Sequence, residues 1–307
     1  MRLIIVAVTA VLSVFFVQSK LAIAHEVMPK SLPVGDGKVS DQARANYVFS
    51  CSQSFRSGGA RHTGAWFKGD TWNPQEKPHV QGNVLWREAA FETTLLGNTR
   101  LVKLNGLPVN AATGIFPIAR TDPVYVYDTN PNAIVAQQLS FVIPLSPVKA
   151  AQPSCLPMGM IGFALNGVAF YNALDDAGND AAAHEVQDLC DGHPQGKGQY
   201  HYHSSSRCLT KADSNAHIGW ALDGYPILGM RDADGKLLTN AALDACHGRP
   251  EKVVLDGLSF DYAYRLTPEY PYTLGCFMGQ LLPETRQSIR QSMGPPKSRG
   301  ADGRPGR

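Results

Sequence analysis

The chain has 307 residues, 44% of them hydrophobic and 18% charged, with a formal net charge of +2, so it can bury a core and is not of a generally disordered composition. Part of the small basic excess sits between Arg286 and Arg307, which leaves no broad basic field of the kind nucleic-acid binding needs. The six cysteines include no C-x-x-C pair, which argues against a zinc knuckle or a thioredoxin-type site and for disulfides in an oxidising compartment.

Taken in chain order, residues 1–24 read as a secretory signal. Arg2 supplies the positive start, Leu3 to Val17 is an almost unbroken apolar run, and Ala22-Ile23-Ala24 matches a small-x-small cleavage site. The run of about fifteen residues is short for a membrane span of about twenty, so the mature chain is expected to lack a transmembrane span and to be periplasmic or secreted. Residues 25–45 read as a linker and 46–144 as a β-rich N-terminal part, with strands expected at 82–86, 101–106, 124–127 and 139–144. A connector from Pro144 to Pro157 leads into the region 145–283. The tail 284–307, rich in Gly, Arg and Pro toward its end, is expected to be disordered.

Region 145–283 contains an internal tandem duplication, about 161–208 and 218–276. The run Ile161-Gly162-Phe163-Ala164-Leu165-Asn166-Gly167 recurs as Ile218-Gly219-Trp220-Ala221-Leu222-Asp223-Gly224. Further on, Asp188-Leu189-Cys190-Asp191-Gly192-His193 is answered by Asp244-Ala245-Cys246-His247-Gly248-Arg249. Tyr200-His201-Tyr202-His203 is answered by Tyr262-Ala263-Tyr264-Arg265, and Cys208 by Cys276. Five landmarks in the same order are not a chance match.

Each copy opens with a hairpin signal, Asn166-Gly167 or Asp223-Gly224, dipeptides that favour a type I′ turn. Asp-rich turns follow at 175–178 and 232–235, and short helical patterns at 181–189 and 238–245. The fold class expected is mainly β, a β-rich α+β protein of antiparallel hairpins with short helices, duplicated and disulfide-stabilised. Six cysteines allow fifteen pairings; the duplication favours Cys190–Cys208, Cys246–Cys276 and Cys51–Cys155.

On a strand, His201 and His203 project to one face and Tyr200 and Tyr202 to the other. Two imidazoles a few ångströms apart suit a transition metal such as copper or zinc. His193, eight residues before His201, is the leading third ligand; His217, His184, Asp188 and Asp223 are further candidates. The second copy carries Arg249, Ala263 and Arg265 at the positions of the three histidines while keeping the framework Asp, Cys, Gly and Tyr. Residues serving only the fold would have been kept in both copies, so the histidines read as a set.

With Asp188 to His193, Ile218 to Ile227 and Tyr270 to Cys276 around it, the tetrad Tyr200-His201-Tyr202-His203 resembles the YHYH-domain family over roughly Leu101 to Gly279. The resemblance implies an exported protein and supports the fold class. Three function classes remain: an exported protein binding a transition metal, copper or zinc, through the histidine cluster, a metal-dependent hydrolase of the cell envelope, and a carbohydrate-binding or adhesion module with no metal; the partner expected is a metal ion or small ligand. The hydrolase would take its general base from Asp188, Asp191 or Asp223. The binding module would use Tyr171, Trp220, Tyr225, Tyr270 and Tyr272 as a contact face. A nucleotide cofactor is not expected, because the glycines from Gly192 to Gly198 lack a following helix, and no Gly-x-Ser-x-Gly elbow marks a serine hydrolase.

Overall fold

The computed structural model describes residues 29–293, apart from positions 57 and 61. The expected signal segment and the end of the basic tail lie outside the described residues. The described residues are 33% strand and 8% helix, which makes the fold mainly β. No helix among the described residues is long and apolar enough to cross a membrane.

From 32 to 85 the strands are pairs of residues only. Longer strands follow: β1 (Phe91–Leu96), β2 (Thr99–Leu104) and β3 (Leu139–Pro144) form an antiparallel sheet in the order β3-β2-β1. β4 (Lys149–Ser154) leads into the duplicated region. Its first copy holds β5 (Met160–Ala164), β6 (Ala169–Tyr171), helix α1 (Ala181–His184), β7 (Gly192–Pro194) and β8 (Tyr200–Tyr202). Its second copy holds β9 (His217–Ala221), β10 (Pro226–Leu228), β11 (Gly248–Leu255) and β12 (Leu258–Arg265). β13 (Phe277–Gly279) pairs back onto β4, and helix α2 (Pro283–Met293) ends the described chain.

The two copies build one eight-stranded sheet in the order β7-β8-β6-β5-β9-β10-β12-β11. The order is a mirror of itself about the antiparallel β5–β9 pair. At that centre Phe163 lies opposite its own counterpart Trp220, with Gly162 opposite Ala221 and Ala164 opposite Gly219. This is the reciprocal pairing of an isologous, two-fold contact, built here within one chain. Both glycines are dictated by the close approach: a Cβ on Gly219 would lie 2.2 Å from Phe163 O, and one on Gly162 2.7 Å from Trp220 O. Outward from the centre, β6 runs parallel to β8 and β10 parallel to β12, with Phe170 opposite Tyr202 and Ile227 opposite Tyr264.

The hairpin turns differ from the expected type I′. Only the glycines are left-handed, Gly167 at φ +82° and Gly224 at φ +92°. Gly167 N–H bonds Ala164 O while Ala164 N–H bonds Val168 O, and the same pattern joins Gly224, Ala221 and Tyr225. These are three-residue loops, a type I turn closed by a glycine bulge. The difference has a function in the fold: the side chains of Asn166 and Asp223 turn inward to the hydroxyls of Tyr202 and Tyr264.

Two other expectations are corrected. Residues 124–127 do not form a strand: Pro123–Val126 is a 3-10 helix, because Asp122 caps it by accepting from Val124 N–H and Pro123 presets the first helical residue. The tail does not become irregular at 284, since α2 docks Ile289 into the core. The structure joins Cys51 to Cys155, Cys190 to Cys208 and Cys246 to Cys276. A single hydrophobic cluster takes in Leu32, Trp66, Val102 and Phe141 from the N-terminal part together with Phe163, Phe170, Trp220 and Tyr264 from both copies.

Because the sheet is continuous through β5–β9, its halves are expected to unfold together. Phe163→Ala empties a fully buried site at the centre and should cost about 3–5 kcal/mol, read as a lower midpoint of one denaturant transition. Two separated transitions would contradict the shared core.

Candidate metal centre

The first three residues of the YHYH tetrad form β8, between β7 and β6, and His203 follows directly after the strand. Its tyrosines hold the strand from one side. Tyr200 hydroxyl donates to the Asp188 carboxylate at 2.9 Å, and Tyr202 hydroxyl accepts from Asn166 Nδ2 at 3.1 Å. Asp188 also accepts from the N–H groups of Gly114, Cys190 and Gly192. The second copy repeats both anchors: Tyr262 hydroxyl donates to Asp244 and Tyr264 hydroxyl to Asp223. With the tyrosines fixed on that face, the strand alternation sends both histidines to the other.

There they meet His193, which lies opposite His201 across the β7–β8 pair. The three imidazoles are buried, with ring centroids 4.6, 4.7 and 5.3 Å apart. Their potential ligand atoms lie within 4.8 Å of one another, and they form a group that could hold a metal ion. Tyr171 on β6 stacks on the His201 ring at 3.9 Å.

The hydrogen bonds assign the ring protons. His201 Nδ1 lies 3.1 Å from Gln199 O and His203 Nδ1 2.6 Å from Asn172 O. A carbonyl only accepts, so each Nδ1 carries the proton and each neutral ring presents a bare lone pair at Nε2. Those two Nε2 atoms face each other at 2.9 Å. With no proton between them the contact is repulsive unless a cation sits against both. Neither nitrogen of His193 has a hydrogen-bond partner.

A fourth residue joins the cluster that the sequence did not single out. Glu185, the residue following α1, brings its Oε2 to 3.4 Å from His193 Nε2 and 3.5 Å from His203 Nε2, and this buried oxygen has no hydrogen bond. The signal was in the duplication, because Glu185 falls at Ala241 or Ala242 in the second copy, the same asymmetry that marks the histidines. Adjacent donors about 2.0–2.2 Å from one ion, at angles from a right angle to tetrahedral, lie about 2.8–3.6 Å apart. The separations of 2.9, 3.4 and 3.5 Å all fall in that interval.

Burial sets the charge of the site. Desolvation, with the neighbouring imidazoles adding to it, holds His193 and His201 well below the ordinary histidine range, and desolvation takes His203 down to about 4. The Glu185 carboxyl is pushed well above its usual range by desolvation and then by the carboxylates of Asp128, Asp175 and Asp176. Nearby, burial lowers Lys77 to about 8; its ammonium bonds Ala182 O and the Gln187 side chain.

The other candidates are elsewhere. His217 bonds Gly219 O and packs edge-on against Trp220 in the second copy, and His184 pairs with Asp36. Asp188 and Asp223 are consumed by the tyrosines and backbone N–H groups, and Asp191 is paired with Arg207. None of the three carboxylates faces the histidines as a general base would. Trp220, Tyr225, Tyr270 and Tyr272 are buried rather than presented as a contact face; their rings fill the core, and hydroxyls of Tyr270 and Tyr272 bond Lys38 O and Asp180.

At the corresponding place in the second copy stands a salt bridge. Arg265 pairs with Glu251 through two nitrogens and donates to Gly229 O and Arg231 O, while Arg249 also reaches Glu251. Gly229 is the counterpart of Asn172, whose carbonyl holds His203. Arg265 is fully buried, so Glu251→Ala leaves an unpaired buried charge and should cost about 3–5 kcal/mol, measurable by denaturant unfolding.

In the metal-free protein the three cluster imidazoles should stay neutral between about pH 8 and about pH 6, where ordinary histidines begin to titrate. Because their folded-state values lie below the unfolded one, the stability they allow is full above about pH 6.5 and is lost as pH falls toward their depressed values. Imidazole NMR shifts followed against pH check this, and a midpoint near that of a free histidine would contradict it.

No curated protein and no solved structure matches the chain. The YHYH protein family matches residues 140–237, a span that includes the whole first copy with Glu185 and all three histidines. The part of the chain that builds this cluster is therefore the part that is similar to the YHYH protein family.

Proposed function

We propose that the protein binds a transition metal ion, copper or zinc, through His193, His201 and His203, and that it does so as an exported protein. The observation that carries the reading is the meeting of His201 Nε2 and His203 Nε2 at 2.9 Å, each a lone pair because its other nitrogen donates to a carbonyl. Imidazole nitrogens suit zinc, copper, nickel and iron, and among these the order of affinities favours Cu(II) where it is available.

Three disulfides fit an oxidising compartment outside the cytosol. The buried cluster supports holding an ion more than hydrolysing a substrate, which needs an open coordination position and a base. Asp188, Asp191 and Asp223, the carboxylates that the sequence offered as that base, are engaged elsewhere.

Metal content by mass spectrometry on the untagged mature protein tests the reading beside His201→Ala/His203→Ala. About one equivalent of copper or zinc in the wild type, lost in a folded double variant, is the expected outcome. No ion in the wild type after incubation with both metals would overturn it.

A further inference from the structure

We propose that Glu185 is the fourth ligand of this site and that its charge selects divalent ions over monovalent ones, an inference that rests on the metal reading above. The carboxylate is placed by the fold. Asp180 caps α1 by accepting from Ala183 N–H, the helix ends after one turn, and Glu185 leaves it in extended conformation toward the histidines. Its Oε2 is 3.4 and 3.5 Å from two Nε2 atoms, too far for hydrogen bonds and at the spacing of neighbouring donors on one ion. No protein donor satisfies that oxygen. Lys77, the buried ammonium of the same region, spends its bonds on Ala182 O and the Gln187 side chain instead.

The second copy shows what a satisfied carboxylate looks like in this architecture. Glu251 is held by Arg265 and Arg249, two cations that the chain itself supplies. In the first copy the carboxylate is present and the cationic side chains are replaced by neutral imidazoles. Once ionised, this carboxylate needs a positive partner, and the donors around that place are nitrogen and oxygen.

Three neutral imidazoles and one carboxylate carry a single negative charge. A divalent ion buried among neutral ligands alone would leave two charges uncompensated in a desolvated place, and the carboxylate halves that deficit. The set contains no thiolate or thioether, the soft donors that select Cu(I); imidazole with carboxylate suits the divalent ions.

The test compares wild type, Glu185→Gln and Glu185→Asp by competition titration with Zn(II), Cu(II) and Cu(I), and records the visible spectrum of the Co(II) form. Glu185→Gln keeps size and hydrogen-bonding capacity and removes the charge. It is expected to weaken Zn(II) and Cu(II) at least about 10-fold, since loss of even a residue outside the ligand shell typically costs about 10- to 100-fold, to shift the Co(II) bands, and to leave Cu(I) affinity unchanged. Glu185→Asp, which keeps the charge on a shorter arm, should fall between. Unchanged divalent affinity with an unchanged Co(II) spectrum in Glu185→Gln would overturn the assignment while leaving the histidine site standing. Equal loss of Cu(I) and divalent binding would overturn the selectivity. A wild type that binds none of the ions would instead remove the metal reading itself.

Discussion

The pairing of β5 with β9 is the constraint from which the rest of this architecture follows. Two equivalent strands meet about a local two-fold axis, with Phe163 against Trp220 and a glycine from each copy admitting the other's backbone. Once they are joined, each copy can only extend the sheet outward, hairpin partner first and tetrad strand next. Each tetrad is then locked by two polar anchors to its tyrosines, one from the hairpin turn and one from the Asp-x-Cys loop. The tyrosines fix the strand's rotation, and strand geometry decides where the residues between and after them must point.

Within that shared frame the two copies meet the same electrostatic problem differently. A desolvated pocket beside the carbonyl of residue 172 or 229 has to be filled with polar groups whose charges balance. The second copy fills it with a guanidinium and a carboxylate from adjacent strands. The first copy fills it with imidazoles and a carboxylate delivered from a helix end, and leaves lone pairs converging. A pocket that merely needed to be closed has a working solution in the same molecule, which gives the histidines a reason beyond packing.

Much of this was legible in the sequence because duplication makes a chain its own comparison. The five landmarks located both halves of the sheet, and the loss of His193, His201 and His203 in the second copy pointed to the cluster. The turn type was misread because Asn-Gly and Asp-Gly report only a preference for positive φ; the side chains of Asn166 and Asp223 were needed elsewhere, and their backbone stayed right-handed. Glu185 escaped because its approach to His193, only eight residues on, depends on how the chain turns between α1 and β7, which no strand or helix period encodes. The aromatics expected to form an outer face were drawn into the core by the sheet, which leaves little large apolar surface for Trp220 or Tyr225 to occupy outside.

The salt bridge of the second copy has a consequence for how the two halves respond to their surroundings. Arg265 is covalently present at every concentration of everything else, so that half is self-sufficient. If the first half holds an ion as proposed, it draws its balancing charge from solution, and an ion that binds only the folded form adds stability by mass action, about 2.7 kcal/mol at a hundredfold excess over Kd. Since β5 and β9 join the halves in one sheet, that increment is felt by the whole fold. On the proposed reading, the stability of the whole fold would follow the supply of the ion, with one half as the fixed reference and the other as the gauge.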